Sequence, residues 1–298
     1  RSAREIYDVP LFVNAAMNSR GRRPGEYPSA GPLAHLIDVW HCAAPSVDFI
    51  APDLYDDGFK GWAAQYHLHN NPLFIPEIRH TQNNGVRAFY VFGEHNALGF
   101  SPFAIEDGSD EQGTPFVEGY EKLREIMPLV TGWQGKDAMW GLLFDQNDKE
   151  RIIEDGSLVL TCRHNFTLPW DPRATDGSVW PEGGGIIIRI AENEYIVAGN
   201  GIVVEFATAS EKAFGKAAES LGEDGFASAG SKGTGTPGRK AWKGTRCGIG
   251  SVDEVKVNAD GSFSYIRRLN GDQDHQGRHV RISVGDYKTL YVRLYEYQ

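Results

Sequence analysis

The sequence has few cysteines and no spacing that would pair them. Its 298 residues contain only three, Cys42, Cys162 and Cys247, which lie far apart. An odd number of widely spaced cysteines argues against a disulfide framework, and no Cys-x-x-Cys pair or Cys/His cluster has a metal-like spacing. We therefore expect all three thiols to be structural.

Long apolar runs are also missing. No stretch approaches the ~18–20 apolar residues that a membrane-spanning helix needs, and no signal-peptide core follows the first residues. The sequence therefore predicts no membrane partner. Because the chain starts without a methionine, its compartment stays open, and a periplasmic or secreted protein whose upstream signal has been removed is compatible with it.

An excess of basic residues is absent as well. The 30 Lys and Arg residues are outnumbered by 40 Asp and Glu residues, which gives a formal net charge of −10. A negative mean field repels polyanions, so the sequence predicts no nucleic-acid partner. With 41% hydrophobic and 23% charged residues, the composition is that of an ordinary folded protein rather than a disordered or fibrous one.

The chain length and a change of pattern predict two domains. A single hydrophobic core stops growing near ~250–300 residues, and this chain reaches that limit. Near residue 134 the sequence changes from alternating strand and helix patterns to β-rich segments with Gly, Asn and Asp turns. We expect an α/β domain over residues 1–134 and a β-rich domain over residues 135–298.

Four βα units are predicted in the first domain. Short apolar runs alternate there with helical patterns, which is typical of a parallel sheet. The predicted strands are residues 10–14, 47–51, 72–76 and 97–105, and the predicted helices are residues 33–43, 59–69, 85–95 and 115–130. A (β/α)8 barrel needs eight such units. The sequence therefore predicts either a small open α/β sheet or a barrel of which half lies elsewhere.

The second domain is predicted to be an antiparallel β-sandwich or barrel, because short strands recur between turn residues. The expected strands are residues 158–162, 185–190, 195–198, 202–207, 251–257, 262–266, 279–284 and 289–295. Residues 222–250 are rich in Gly, Ser and Lys, and they are predicted to form a long loop or insertion.

Polar and aromatic residues follow the predicted parallel strands, and in such folds functional groups gather at the C-terminal strand ends. These ends carry Asn14, Asp53, Tyr55, Glu77, Arg79, Ser101, Phe103 and Asp107. Glu77 directly follows an apolar run, so we expect its carboxylate to be partly desolvated. Desolvation costs free energy unless the group has partners and a use. Tyr55 and Arg79 are the expected partners.

Three segments resemble the bacterial β-galactosidases of glycoside hydrolase family 35. They are Asn-Asn-Pro-Leu-Phe-Ile-Pro-Glu at residues 70–77, Phe-Ile-Ala-Pro-Asp-Leu-Tyr at residues 49–55, and Leu-Gly-Phe-Ser-Pro-Phe-Ala-Ile-Glu-Asp at residues 98–107. The resemblance covers roughly the first 130 residues, and it implies that they form strands five to eight of a (β/α)8 TIM barrel. The β-rich remainder is similar to a C-terminal domain that accompanies a subgroup of these enzymes.

The resemblance also implies a retaining exo-β-galactosidase whose substrate is a galactoside or a related oligosaccharide. Glu77 is then the nucleophile and Tyr55 orients it. Asn14, Arg79 and Phe103 are then substrate-binding residues, with Phe103 as a platform for a sugar ring. This chemistry requires no metal ion and no cofactor.

One catalytic group of that family is not found in the sequence. Retaining glycosidases use two carboxylates, and the family's acid/base is a Glu that follows an Asn at the end of the fourth strand. Asn193-Glu194 lies in the β-rich domain and does not fill that role. The expected partner of this chain is therefore the missing N-terminal half of the barrel, which a segment upstream of Arg1 would supply together with the acid/base.

Two other functions stay open at the level of sequence. A related glycosidase would act on a different sugar, because pocket loops rather than the strand-end Glu set specificity. A non-catalytic carbohydrate-binding protein would use its β-rich domain to bind glycan and its α/β part as a scaffold. Labelling by a fluorinated glycoside separates these functions, since only a catalytic carboxylate is trapped covalently.

Overall fold

Helices and strands alternate along the first part of the chain, and strands dominate the rest. The computed structural model describes residues 2–17, 21–27, 31–105, 113–220, 244–271, 273–274 and 277–298. Its contacts divide the chain into two units. The first comprises Arg1–Leu143, Gly184–Ile187 and Ala259–Gly261, and the second comprises Phe144–Gly183, Ile188–Asn258 and Ser262–Gln298. One parallel sheet and two largely antiparallel sheets confirm the predicted mixed fold class at that level.

The first unit contains a four-stranded parallel sheet. Its strands are β1 (Phe12–Ala16), β2 (Phe49–Leu54), β3 (Phe74–Ile78) and β4 (Gly99–Pro102). They lie in this order across the sheet, so each strand pairs with its neighbour along the chain. All four predicted strands are confirmed, although each begins two residues later than predicted, because the apolar runs start before the hydrogen-bonded ladder does.

Helices follow the strands of this unit. They are α1 (Ser2–Ile6), α2 (Ile37–Ala43), α3 (Phe59–Tyr66), α4 (Asn84–His95) and α5 (Gly113–Trp133), with a 3-10 turn at Ala34–Leu36. The last four confirm the predicted helices. The three- and four-residue spacing of Leu123, Ile126, Met127 and Val130 in α5 predicts one buried face; Leu123, Ile126 and Val130 are buried and Met127 is half-buried.

The two faces of the parallel sheet differ in burial. Side chains alternate between the faces along each strand. On one face, Ile50, Leu54 and Ile75 are fully buried. The other face carries Phe12 and Phe49, whose rings stack with their centroids 5.6 Å apart, and Phe12 is exposed. An aromatic surface therefore stays partly open on this second face.

Strand β5 (Met139–Phe144) approaches helix α4 backbone to backbone. A Cβ placed on Gly141 would lie 2.3 Å from the Tyr90 carbonyl oxygen, and one placed on Gly93 would lie 2.8 Å from the Gly141 Cα. Neither distance leaves room for a side chain, so both glycines are needed for this contact.

The second unit is built largely from antiparallel strands. Its strands, with β8 shared because Gly184–Ile187 belong to the first unit, are β6 (Glu150–Asp155), β7 (Leu158–His164), β8 (Gly183–Ala191), β9 (Glu194–Asn200), β10 (Ile202–Thr208), β11 (Arg246–Val257), β12 (Phe263–Leu269), β13 (Val280–Ile282) and β14 (Lys288–Tyr297). One sheet has the order β13-β10-β7-β6, and the other has the order β12-β11-β14-β9-β8-β5. Each of the eight predicted strands overlaps one of these strands.

The loop predicted for residues 222–250 is wrong at its C-terminal end. Residues 246–250 form the start of β11, where Arg246 lies opposite Tyr297 and Gly248 lies opposite Tyr295. Pairing with β14 overrides the low strand propensity of the glycines. Helix α6 (Ala209–Ser220) precedes this region, and residues 221–243 lie outside the described residues.

Candidate active site

Neighbouring strand ends bring polar side chains together along one edge of the parallel sheet. The strand register places Ala16 beside Asp53, and Asp53 beside Glu77. Tyr55 follows β2 directly. Because parallel strands end at the same edge, their terminal side chains converge there. The predicted site residues on these strands therefore meet within the first unit.

The central contact of the site joins Tyr55 and Glu77. The Tyr55 hydroxyl donates a hydrogen bond to Glu77 Oε1. Burial raises the pKa of Tyr55 above its usual value, and the hydrogen bond to Glu77 and the charge of Glu77 raise it further. The phenol therefore keeps its proton at neutral pH and remains a donor. A fixed donor both orients the carboxylate and stabilises its negative charge.

A second carboxylate, Asp53, lies beside Glu77 in the register. Asn14 Nδ2 donates to Asp53 Oδ1 at 2.7 Å. Burial raises the pKa of Asp53, and the charge of Glu77 also raises it, while the hydrogen bond from Asn14 opposes the rise. Sequence reasoning placed Asp53 on the strand-end rim but assigned it no role. The register that sets Asp53 beside Glu77, and within reach of the Asn14 side chain, cannot be seen in the sequence.

Arg79 links the end of β3 to the segment that follows β2. Its Nη2 donates to the Tyr55 carbonyl oxygen at 2.7 Å, and its Nη1 lies 3.8 Å from Asp57 Oδ1. Its positive charge also opposes the rise in the pKa of Tyr55. Arg79 therefore helps to hold Tyr55 in place, and the substrate contact predicted for it stays a prediction.

Phe103 lies just beyond the end of β4. Its backbone N–H donates to the carbonyl oxygen of Ile78, the residue after Glu77, at 2.8 Å. This hydrogen bond holds the Phe103 backbone close to the end of β3. The ring is exposed. This position is compatible with the predicted sugar platform, which stays a prediction.

The predicted fourth strand is too long at its C-terminal end. It was expected to run to Ile105, whereas β4 ends at Pro102. Ala104 has a φ of 54° in the left-handed region, a conformation that an extended strand does not allow. Asp107 and its neighbour Glu106, which follow this turn, lie outside the described residues.

The described part of the chain contains no group of three or more His, Cys, Asp and Glu side chains arranged to hold a metal ion. Within the same residues, no helix combines the length and the apolar character that crossing a membrane requires. The chemistry that the site offers is that of a hydrogen-bonded carboxylate beside a partly buried one. Such a carboxylate can act as a nucleophile or as a general base.

Comparison with known proteins concerns mainly the β-rich part of the chain. A search among curated proteins found no match. Residues 116–281 match the family described as "Domain of unknown function (DUF5597)". This match begins after β4, so the strand-end site lies outside it. Because it nevertheless covers more than half of the 298 residues, the chain belongs to the DUF5597 family.

Proposed function

We propose that the chain carries part of the active site of a retaining glycoside hydrolase, most simply an exo-β-galactosidase, with Glu77 as its nucleophile. The observation that carries the proposal is the hydrogen bond from the Tyr55 hydroxyl to the Glu77 carboxylate at the C-terminal ends of adjacent parallel strands. The resemblance of residues 49–55, 70–77 and 98–107 to family 35 enzymes supports the same assignment.

The proposed reaction has two displacement steps. Glu77 attacks the anomeric carbon while the glycosidic bond breaks, and the leaving oxygen takes a proton from the acid/base residue. Water then attacks the anomeric carbon of the glycosyl-enzyme, passes a proton to the same residue and restores the Glu77 carboxylate. Tyr55 holds the carboxylate in its attacking orientation before the first step.

The strand order supports placing this site in a barrel. In a doubly wound sheet the strand order reverses at a switch point, whereas β1 to β4 follow one another across the sheet. Right-handed crossovers, which nearly all βα units have, then put the helices on one face. The opposite face, which carries Phe12 and Phe49, would line the barrel interior. In this proposal, four further βα units from an upstream segment complete the ring.

The acid/base is assigned to that upstream segment rather than to Asp53. Asp53 stands beside Glu77 on the neighbouring strand, and Asn14 already occupies one of its oxygens. In a retaining enzyme the two carboxyl groups flank the glycosidic bond about 5–5.5 Å apart, and the second one must face the leaving oxygen. We propose that Asp53 instead holds the Asn14 amide where it can contact a sugar hydroxyl.

The test is covalent trapping on the full-length protein. A 2-deoxy-2-fluoro-β-galactoside with a dinitrophenyl leaving group should add one glycosyl mass, which peptide mapping should locate at Glu77. Glu77→Gln should abolish labelling. Glu121→Gln, which changes an exposed carboxylate on α5, is the matched control and should label normally.

The same experiment separates the alternatives. Faster labelling by the matching fluoroglucoside or fluoromannoside would keep the mechanism but change the sugar. Reversible binding without a mass gain in the folded protein would favour a non-catalytic carbohydrate-binding protein. A label on any carboxylate other than Glu77 would remove Glu77 from the mechanism.

A further inference from the structure

Strand β14 presents a row of tyrosines on one face of the six-stranded sheet. Tyr291, Arg293, Tyr295 and Tyr297 alternate along the strand and therefore point to the same side. Val292, between them, is fully buried on the opposite side. Tyr295 and Tyr297 are 51% and 42% exposed. Aromatic rings this open on a strand face are available to a ligand.

The ring of Tyr295 lies across Gly248, its partner in the register. A Cβ on Gly248 would come within 2.5 Å of the Tyr295 Cζ and 2.8 Å of its hydroxyl oxygen. Glycine is therefore what allows the ring to rest on the sheet with its other face outward. The ring of Tyr297 lies next to it, with centroids 5.5 Å apart and planes inclined by 33°. Together the two rings form an aromatic platform.

Two guanidinium groups stand beside the tyrosine row. Arg268 Nε donates to Asp253 Oδ1 at 2.9 Å, Arg293 Nη2 donates to Asp253 Oδ2 at 2.7 Å, and Arg293 Nε donates to Ser251 Oγ at 2.9 Å. The Asp253 side chain is only 3% exposed, whereas those of Arg268 and Arg293 are 54% and 46% exposed. The surface therefore shows two cations over one buried anion.

The guanidinium groups are the exposed charges of this cluster. Although burial raises the pKa of Asp253, hydrogen bonds from Arg268 and Arg293 keep it below its usual value, so the carboxylate stays ionised beneath them. On the same face, the Glu194 carboxylate accepts a hydrogen bond from the Tyr291 hydroxyl. The two arginines and two carboxylates of this face balance in charge, but Asp253 is buried and Glu194 is engaged by Tyr291, so the charges that face a ligand are the outer guanidinium edges.

We propose that this face binds a saccharide chain that contains hexuronic acid, with Tyr295 and Tyr297 stacking under sugar rings and Arg268 and Arg293 pairing with a uronate carboxylate. Aromatic rings suit the C–H faces of pyranose rings. The planar guanidinium group pairs with a carboxylate through two parallel hydrogen bonds. The face lies in the second unit and does not depend on Glu77, so this binding is independent of the proposed hydrolysis.

Calorimetric titration of the 298-residue chain with a trigalacturonate, a neutral galactotriose and inorganic phosphate tests the proposal. The trigalacturonate should bind at least about 10-fold more tightly than the other two, and added salt should weaken it. Equal affinity for the neutral trisaccharide, or binding of phosphate as tight as that of the uronate, would overturn the assignment.

Two variants act on the platform in different ways. Tyr295→Ala removes the ring, whereas Gly248→Ala keeps every ligand-facing side chain but lifts the ring from the sheet. Each should weaken trigalacturonate binding by roughly 10-fold, while Tyr7→Ala, at an exposed tyrosine of the first unit, should leave it unchanged. Unaltered binding by either platform variant would overturn the proposal. If the wild-type chain self-associates and Tyr295→Ala makes it monomeric, a second copy of the chain occupies this face. That result would also overturn the proposal.

Discussion

Tyr55 combines two features that bear on catalysis, a hydrogen bond to Glu77 and a raised pKa. Removing only its hydroxyl, in Tyr55→Phe, should lower the rate on the order of 10–10³-fold, as expected for the loss of one hydrogen bond to the reacting carboxylate. The measurement is kcat for an aryl galactoside with the full-length protein. An unaltered rate would make Tyr55 a strand-end aromatic without a catalytic role.

His164 is a buried neutral histidine whose two ring nitrogens are both satisfied. Nδ1 accepts a hydrogen bond from the Phe166 N–H, and Nε2 donates to the Pro181 carbonyl oxygen, both at 3.0 Å. The ring stacks on Trp180 with a centroid distance of 4.9 Å. Burial lowers the pKa of His164 to about 4. Protonation would break the Phe166 hydrogen bond and place a charge in the core.

This pKa predicts how the stability of the second unit depends on pH. The folded pKa of about 4 lies below the usual histidine value of roughly 6.5, so the unfolded chain binds more protons between these values. Stability is therefore lost as the pH falls from about 6.5 to about 4, by at most about 3 kcal/mol. Urea unfolding should show that the free energy of unfolding falls less between pH 7 and pH 5 in His164→Gln than in the wild type. His35→Gln, at an exposed histidine, is the control and should lose as much unfolding free energy between pH 7 and pH 5 as the wild type does. An equally large loss in His164→Gln would refute the assignment to His164.

At the scale of elements, the contact between α4 and β5 depends on glycine. Gly141→Ala forces a methyl group against the Tyr90 carbonyl oxygen and should destabilise the first unit by about 1–3 kcal/mol. Gly132→Ala is the matched control, because this exposed glycine within α5 has open space around its Cβ position. It should stabilise by about 0.4–1 kcal/mol. Equal urea midpoints for the two variants would show that the backbone contact is looser than described.

The elements that sequence patterns predicted are those whose periodicity is unambiguous. The apolar runs that become β2 and β3 are short and bounded by turn residues, and helix α5 has a regular buried face. Strand β5 was not predicted, because Met139–Phe144 is a continuous apolar run that a buried helix could equally contain. Strand β6 has only two adjacent apolar residues among charged ones, so its pairing with β7 gives it its structure.

The candidate site, like the fold, could be predicted from the sequence only in part. A strand-end position was enough to predict that Glu77 and Tyr55 would lie close together, and the structure places them in contact. The bond from Asn14 to Asp53 was not foreseen, because it depends on which residues stand opposite each other in the sheet. Register depends on hydrogen bonds between strands that lie far apart in the sequence.

At the scale of the whole molecule, the open aromatic face of the parallel sheet predicts that the first unit depends on the upstream segment that we propose. The 298-residue chain alone should show no glycosidase activity, and its first unit should unfold at lower urea concentration than its second unit. Co-expression with the upstream segment should raise the urea midpoint of the first unit and restore hydrolysis. The reason is that further strands would cover Phe12 and the edges of β1 and β4. Activity assays and urea unfolding of both preparations provide the measurement.

A contrary result would redirect the search for the second carboxylate. If the 298-residue chain is monomeric, unfolds cooperatively and hydrolyses galactosides, the half-barrel proposal is wrong. The acid/base would then have to be sought among Asp53, Glu106 and Asp107. Substituting each in turn and rescuing activity with azide would identify it.

The position of β14 has a consequence for how the protein is made. This strand lies between β9 and β11, although the ribosome produces it after both of them. Strands β1 to β4 can pair in the order in which they emerge, whereas β9 and β11 must wait for residues 288–297. Until then their unpaired edges are exposed to chaperones, proteases and other nascent chains. Translation speed between β9 and β14 should therefore affect the yield of folded protein more than translation speed over β1 to β4.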